Sequence, residues 1–197
     1  RGKRAPAERF AWRRTASKRS CASGRPLRRL VGEPWPVSGK ALISSGRRPS
    51  HATNSMSDRY FVDTNILMYA HDTAAGEKHA RARALVEDLW ESRSGVVSTQ
   101  VLQELAVNLR RKAKRPLDAR ATRDVVSDYL AWQVVVNGGG SILEALDLEA
   151  RHQISFWDAL VIQAAQVAGA EILYSEDLSD GQQYGTVRVK NPLTGDE

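Results

Sequence analysis

Short apolar segments alternate with helical segments along the chain between residues 59 and 189. The predicted strands are residues 59–62, 95–98, 133–136, 171–174 and 186–189. The segments between them carry apolar residues at the three- and four-residue spacing of helices that cover one face of a sheet. Strands joined through helices run parallel, with helices on both faces of the sheet. The sequence therefore predicts an α/β fold, a three-layer α/β/α domain with a short, mainly parallel central sheet.

Charge divides the chain into two chemically different parts. Residues 1–55 hold 14 Lys and Arg against 2 Asp and Glu, a net charge of +12, whereas residues 56–197 hold 15 against 21, a net charge of −6. The pI near 9.7 of the whole chain thus reflects the first part and not the second. That first part is rich in Arg, Ser, Pro and Gly and has no sustained periodicity, which predicts a disordered basic extension.

The first methionine of the chain is Met56, a few residues before the first predicted strand. We therefore expect residues 1–55 to come from upstream translation or a misplaced start, and residues 56–197 to form the folded domain. A basic tail that binds nucleic acid and an organelle transit peptide are the alternatives, since both are rich in Arg and poor in acids.

Several functional classes are excluded by what the sequence lacks. The single cysteine, Cys21, allows no disulfide framework and no cysteine-based metal site within one chain, which fits a reducing cytoplasm. No run approaches the ~18 consecutive apolar residues of a membrane-spanning helix, so we expect no membrane association. No Gly-x-x-x-x-Gly-Lys-Ser/Thr motif is present, which excludes a P-loop enzyme.

Four acidic residues lie where the chain leaves the predicted sheet or begins a new helix beside it. Asp63 and Asp177 follow strands directly, and Glu104 and Asp158 lie in the first turns of helices that start from the same edge. Ligands of parallel α/β sheets bind beyond the carboxyl ends of the strands. Carboxylates that share one pocket repel each other unless a cation lies between them. The pattern predicts a divalent metal site, and such sites commonly serve phosphoryl chemistry.

Each acid also has an ordinary structural explanation when it is considered alone. Asp63 fits a helix N-cap, Glu104 a solvated helix charge, and Asp177 with Asp180 a turn. Asp158 is the strongest single candidate, because apolar residues follow it at +3, +4 and +7 and place it on the buried face of its helix. A buried charge without a partner costs several kcal/mol.

Four motifs between residues 60 and 192 resemble the PIN-domain family, and most closely the VapC-type toxin ribonucleases of type II toxin–antitoxin systems. These motifs are Phe61-Val-Asp-Thr-Asn-Ile-Leu67, Ser98-Thr-Gln-Val-Leu-Gln-Glu104, Phe156-Trp-Asp-Ala-Leu160 and Ser175-Glu-Asp-Leu-Ser-Asp-Gly181. The resemblance implies a compact PIN-like domain whose acidic cluster binds Mg²⁺ or Mn²⁺ and cleaves RNA to products with a 5′ phosphate and a 3′ hydroxyl. It also implies two partners, a cognate antitoxin protein and a second copy of the chain in a homodimer.

The same resemblance assigns the catalytic and metal-binding acids. Asp63, Glu104 and Asp158 correspond to acids of the family's cluster. Asp177 is the expected fourth acid and Asp180 a further candidate, because many relatives have Thr-x-Asn-x-x-Asp-Phe at this position. The implied mechanism is metal-assisted hydrolysis of the RNA phosphodiester by a bound water.

Two further groups of residues have supporting roles by this resemblance or by their charge. Thr64 and Asn65 match the first motif and are expected to orient Asp63 or a bound water. Arg110, Arg111 and Lys112 belong to the only basic cluster of residues 56–197. This cluster either contacts RNA phosphates or forms a solvated helix end, which the helix dipole also favours.

The tryptophans Trp90, Trp132 and Trp157 are expected in the core or at an interface rather than as base-stacking platforms, and Trp157, which precedes Asp158, is a candidate to wall the metal pocket. Three other functions stay open: a housekeeping PIN nuclease for RNA processing, a metal-dependent phosphatase, and a binding module with a decayed site. The phosphatase class needs Asp-x-Asp-x-Thr after the first strand, and Asn65 occupies the position of the second Asp. All the expected acids are present, which argues against decay.

Overall fold

A computed structural model describes residues 58–194 of the chain. The strands in this part are β1 (Tyr60–Val62), β2 (Gly95–Ser98), β3 (Gln133–Val135), β4 (Ile172–Tyr174), β5 (Gln183–Tyr184) and β6 (Val187–Lys190). The helices are α1 (Thr64–His71), α2 (Glu77–Ser92), α3 (Thr99–Arg111), α4 (Ala119–Tyr129), α5 (Gly139–His152) and α6 (Phe156–Val167). None of these helices is long and apolar enough to cross a membrane. The predicted basic extension, residues 1–55, lies outside the described residues.

The described strands form one six-stranded sheet in the order β3-β2-β1-β4-β6-β5. All neighbouring strands are parallel except β5 and β6, which are antiparallel. The strand order reverses around β1, which pairs with β2 on one side and β4 on the other, and such a switch point opens a crevice beyond the carboxyl ends of the strands. The register places Val62 opposite Tyr174, so residues 63 and 175 lie side by side at this crevice. The predicted α/β architecture with a mainly parallel sheet is confirmed.

The centre of the sheet and helix α6 form much of the apolar core. Phe61 and Val62 of β1 and Leu173 of β4 are completely buried. Every residue of α6 from 159 to 165 is also buried, and three of them are alanines that allow close packing. The amino end of α6 is therefore held firmly at the crevice.

Capping side chains fix the starts of the two helices that carry Glu104 and Asp158. Ser98 Oγ accepts a hydrogen bond from the backbone N–H of Val101 at 3.2 Å, and Ser155 Oγ accepts one from Asp158 N–H at 3.1 Å. A cap of this kind stabilises a helix by about 1 kcal/mol, because it satisfies an N–H group that the first turn leaves free. The caps determine where α3 and α6 begin and so where the two acids lie.

The bounds of several elements differ from the sequence prediction, and four strands, β1, β3, β4 and β6, do so by one residue. The apolar spacing predicts a helix from Thr99 to about Lys114, whereas α3 ends at Arg111. It also predicts Ser141 as the cap of the next helix, whereas α5 begins at Gly139 and Ser141 Oγ accepts a hydrogen bond from Gly138 N–H at 3.3 Å. The sequence does not predict β5, because two residues are too few to show the alternation of a strand.

Gly95 of β2 lies against the ring of Trp132, and a Cβ at position 95 would meet ring carbons at 2.5–2.6 Å. Trp132 has little room to move, because it is buried and packs edge-on against Tyr129 with ring centroids 5.1 Å apart. We expect Gly95→Ala to lower the free energy of unfolding by about 1–3 kcal/mol, the usual cost of overpacking. Urea denaturation measures this change. Gly139→Ala is the matched control, since no atom lies within 4 Å of a Cβ there, and equal stabilities of the two variants would contradict the packing argument.

Candidate active site

Asp63 follows β1 and caps α1 at the crevice. Its Oδ1 accepts a hydrogen bond from the backbone N–H of Thr64 at 2.6 Å, and its Oδ2 accepts one from Ser175 Oγ at 2.8 Å. Burial raises the pKa of Asp63 from 3.8 to about 6. The two hydrogen bonds oppose this rise, whereas the neighbouring carboxylates of Asp177 and Glu104 add to it. A cation beside Asp63 would offset the cost of its buried charge.

Glu104 lies about one turn after the start of α3, on the side of the helix that faces the crevice. Two neighbouring side chains donate hydrogen bonds to its carboxylate. Thr64 Oγ1 donates to Glu104 Oε2 at 3.1 Å, and Gln100 Nε2 donates to Glu104 Oε1 at 2.9 Å. Thr64 thus contacts two of the acids, Asp63 through its backbone and Glu104 through its hydroxyl. Gln100 is a partner that the sequence analysis missed, although its position four residues before Glu104 places both on one helix face.

Asp177 follows β4 after two intervening residues, and Asn65 holds it from across the crevice. Asn65 Nδ2 donates to Asp177 Oδ2, so Asn65 contacts Asp177 and not Asp63. The backbone N–H of Asp177 donates to Ser175 Oγ at 3.2 Å. Partial burial raises the pKa of Asp177, and the charges of Glu176 and Asp158 add to the rise. Ser175, which links Asp63 to the Asp177 backbone, is a second partner that the sequence analysis missed.

Asp158 lies in the first turn of α6, where it forms two hydrogen bonds with Ser155. Ser155 Oγ donates to Asp158 Oδ2 at 2.8 Å and accepts from the Asp158 N–H. The residues that follow Asp158 on the same helix face, Val161, Ile162 and Ala165, are buried, and Asp158 itself is half-buried. Position 158 precedes the buried segment of α6 at the sheet edge, so its carboxylate opens into the crevice.

Asp180, the further candidate for the fourth acid, has a structural contact outside the crevice. Its Oδ1 accepts a hydrogen bond from the backbone N–H of Asn191 at 2.7 Å, which ties the loop after β4 to the end of β6. Asp177 lines the crevice and Asp180 does not. The geometry therefore favours Asp177 as the fourth acid.

All four predicted acids line one cleft of about 240 Å³. The described residues that line it are Asp63, Thr64, Asn65, Gln100, Glu104, Asn108, Lys112, Trp157, Asp158, Val161 and Asp177. Four of these recur at every fourth position of α3 and its C-cap and form a polar stripe along one side of the cleft: Gln100, Glu104, Asn108 and Lys112. The stripe carries a carboxylate near one end and a cation at the other.

The structure separates the three basic residues that the sequence groups together. Lys112 lines the acidic cleft, whereas Arg110 lines a larger groove of about 320 Å³ between α3 and α4. Arg111 is exposed and lines neither. Successive residues of a helix point in directions about 100° apart, which is why adjacent basic residues at the end of α3 face different sides. The expected contact with RNA therefore falls on Lys112 alone.

The donors in the cleft suit a hard divalent cation, since Mg²⁺ and Mn²⁺ prefer carboxylate oxygens. As placed, however, no three acidic, histidine or cysteine side chains within residues 58–194 are arranged to hold one ion. Mg²⁺ commonly keeps several of its waters and binds through one or two carboxylates together with substrate phosphates. The residues therefore fit a partly hydrated ion, with Asp63 as the acid that gains most from it.

Thr64 offers a test of how these acids are held. We expect Thr64→Val to weaken Mn²⁺ binding by about 10- to 100-fold, the usual effect of removing a hydrogen-bond partner of a metal ligand. Valine keeps the shape of threonine and the backbone contact with Asp63 but cannot donate to Glu104. Thr64→Ser should restore binding because it keeps the hydroxyl. Titration calorimetry measures both, and unchanged affinity in the valine variant would show that the Thr64 hydroxyl is dispensable.

A model of the PIN domain matches residues 60–179 of the chain, a segment that contains all four acids of the cleft. The chain belongs to the PIN-domain family. Among curated proteins, none matches the sequence.

Solved structures with the PIN fold resemble the described domain. A toxin–antitoxin complex from Klebsiella pneumoniae matches with a TM-score of 0.50 and 19% identity, over 68% of this chain and 97% of that one. VapC20 of Mycobacterium tuberculosis, a toxin that cleaves the sarcin-ricin loop, matches with a TM-score of 0.48 and 23% identity, over 66% and 98%. VapBC2 of Rickettsia felis, bound to a promoter DNA fragment, matches with a TM-score of 0.49 and 17% identity, over 67% and 97%.

Proposed function

We propose that this PIN-domain protein is a metal-dependent endoribonuclease that hydrolyses RNA phosphodiester bonds. One observation carries the proposal: acids from four separate segments, spread over more than a hundred residues of the sequence, line one cleft at the switch point of the sheet. Isolated structural roles do not explain this arrangement, because the four carboxylates raise each other's energy when no cation is present. Burial is the main cause of the raised pKa of Asp63, and the charges of Asp177 and Glu104 add to the rise.

The side chains of the cleft divide the work of such a reaction. Asp63 together with one or more of Glu104, Asp158 and Asp177 would hold a partly hydrated Mg²⁺ or Mn²⁺, which would lower the pKa of a bound water and offset charge on the leaving oxygen. Thr64 and Asn65 keep three of these carboxylates oriented toward the cleft. Lys112 lies at the far end of the polar stripe, where its ammonium group can bind an RNA phosphate.

We further propose that the nuclease is the toxin of a type II toxin–antitoxin pair that acts in the cytoplasm. The described domain has the PIN fold, and the Klebsiella pneumoniae structure that resembles it is a toxin–antitoxin complex. Helix α5 exposes Ile142, Leu143 and Leu146, and an exposed apolar surface of this kind fits contact with other proteins. The antitoxin and a second copy of the chain, in a homodimer, are the proposed partners.

The chemistry is tested by incubating the full chain with labelled structured RNA in Mg²⁺ and in EDTA. We expect cleavage in Mg²⁺, none in EDTA, and none by Asp158→Asn in either. Asp180→Asn is the matched control, because it changes an acid outside the cleft and should cleave as the parent does. Cleavage that persists in EDTA or in Asp158→Asn would refute the proposed site.

The toxin role needs a separate test. Expression of the chain should stop bacterial growth, expression of Asp158→Asn should not, and co-expression of the adjacent open reading frame should restore growth. A chain that cleaves RNA without arresting growth would favour the housekeeping nuclease instead.

A further inference from the structure

Trp157 stands out among the described tryptophans because its side chain is largely free of the core. It is 61% exposed, whereas Trp132 is buried and Trp90 packs against Tyr129 and Trp132. The core position considered for Trp157 is therefore wrong. The indole instead walls the acidic cleft directly beside Asp158. Exposing so large an apolar ring is unfavourable unless a ligand covers it.

The backbone that carries this indole is held in place. The Trp157 carbonyl accepts a hydrogen bond from Gln100 Nε2 at 3.3 Å, which ties it to α3. The following residue, Asp158, is capped by Ser155. The ring of Phe156 lies edge-on to the indole, with centroids 5.4 Å apart and planes at 70°. The backbone of Trp157 is thus fixed beside the cleft, which reduces the ordering entropy lost when a ligand stacks on the indole.

The surroundings of Trp157 favour a nucleobase over an apolar protein side chain. Nine of the eleven described residues that line the cleft are polar or charged, and only Trp157 and Val161 are apolar. A protein side chain packed on the indole would desolvate those polar groups without pairing with them. An unpaired nucleotide offers an apolar face to the indole and leaves its phosphate near the carboxylate-bound cation and Lys112.

The net charge of the domain also favours a nucleobase as the group that covers Trp157. Residues 56–197 carry a net charge of −6, so a phosphate backbone is repelled by the domain as a whole. Within the described part of the cleft, Lys112 is the one cationic side chain. Phosphate contacts alone therefore supply little affinity, and stacking on an aromatic ring is a source of binding that does not depend on charge.

We propose that Trp157 is a stacking platform that positions an unpaired nucleobase next to the scissile phosphate. This inference rests on the proposed nuclease function and names a residue that positions the RNA in its site. Base stacking on an aromatic side chain accounts for about a 5- to 150-fold gain in affinity per base. The platform adds affinity for RNA of many sequences, since every base has a face that can stack.

The test compares binding of short labelled oligoadenylate with binding of an abasic ribose-phosphate oligomer of equal length, by fluorescence anisotropy in Mg²⁺. All proteins carry Asp177→Asn so that the probe is not cleaved. Trp157→Phe keeps an aromatic face, and Trp157→Leu keeps an apolar side chain without one. Val167→Ala, at an exposed position near the other end of α6, is the matched control. Analytical ultracentrifugation records the oligomeric state of each protein.

We expect Trp157→Leu to bind oligoadenylate at least about 5-fold more weakly than the parent, with Trp157→Phe in between and Val167→Ala unchanged. All four proteins should bind the abasic oligomer equally, and their oligomeric states should agree. Equal binding of oligoadenylate by Trp157→Leu and the parent would overturn the proposal, as would equal losses on both probes. A changed oligomeric state in Trp157→Leu would overturn it in favour of a protein interface.

The two proposals fail in different ways. An enzyme that cleaves RNA but shows no base-dependent loss in Trp157→Leu lacks the platform and keeps the proposed function. A chain that shows the base-dependent loss but cleaves no RNA in Mg²⁺ keeps the platform and lacks the proposed chemistry. No binding of oligoadenylate by the parent would overturn the platform whatever the cleavage assay shows.

Discussion

Replacing Asp63 with Asn is expected to stabilise the metal-free protein and to abolish its cleavage of RNA. Burial is the main cause of the rise in the pKa of Asp63 from 3.8 to about 6, so the carboxylate is more costly when charged in the folded state than in the unfolded chain. A neutral amide keeps an oxygen to accept from Thr64 N–H and an N–H group to donate to Ser175 Oγ. The variant therefore loses the cost of the charge and keeps the local contacts.

The direction and size of this effect depend on pH. Because the folded pKa is raised, the stability of the wild-type protein relative to Asp63→Asn is greatest below about pH 4 and is lost as pH rises through about 6. A shift of about two pKa units corresponds to a difference of about 3 kcal/mol at pH 8. Urea denaturation in EDTA at pH 4 and pH 8 measures it. A variant that is less stable than wild type at pH 8 would contradict this account of Asp63.

The activity of Asp63→Asn should fall more than about 100-fold, since losing even an outer partner of a metal ligand costs about 10- to 100-fold. A gain in stability together with a loss of activity is the pattern of a residue kept for function. Asp180→Asn should show neither change, because Asp180 is exposed and outside the cleft.

Divalent cations are expected to stabilise the wild-type protein strongly at neutral pH. An ion that binds only the folded state adds about 2.7 kcal/mol at a concentration 100 times its dissociation constant. For a domain of this size, that gain raises the Tm by roughly 5–10 °C. Thermal unfolding followed by circular dichroism, with and without Mn²⁺ at pH 7.5, measures the shift. Asp63→Asn should show little of it.

The stabilisation of the protein by divalent cations should weaken at acidic pH. Asp63 is half-protonated near pH 6, and a proton on its carboxylate competes with the cation. The Tm shift produced by a fixed Mn²⁺ concentration is therefore expected to fall between pH 7.5 and pH 5. A shift that is equal at both values, or that persists in Asp63→Asn, would place the bound ion away from Asp63.

The sequence predicts the parts of the site that depend on local structure. The end of β1 locates Asp63, and the caps Ser98 and Ser155 locate the helices that bear Glu104 and Asp158. Parallel strands carry the loops at their carboxyl ends to one edge, so the meeting of the acids follows from the fold class. These features need only the order of elements and a few capping residues.

The contacts between distant segments cannot be predicted from local sequence. The bond from Ser175 to Asp63 and the bond from Asn65 to Asp177 each join residues 112 positions apart. They depend on the register of β1 with β4, which neither strand encodes alone. Apolar spacing gives the direction of the Asp158 side chain but not the position of the helix end relative to the sheet edge, where this side chain is half-buried.

The central claim, that these carboxylates form one divalent metal site, is tested most directly by a crystal of the full chain soaked in Mn²⁺. We expect an anomalous difference peak in the cleft, within coordination distance of Asp63 and of at least one other acid among Glu104, Asp158 and Asp177. The peak should be absent from crystals of Asp63→Asn. A cleft without a peak at saturating Mn²⁺, or a peak held by acids outside the cleft, would contradict the claim.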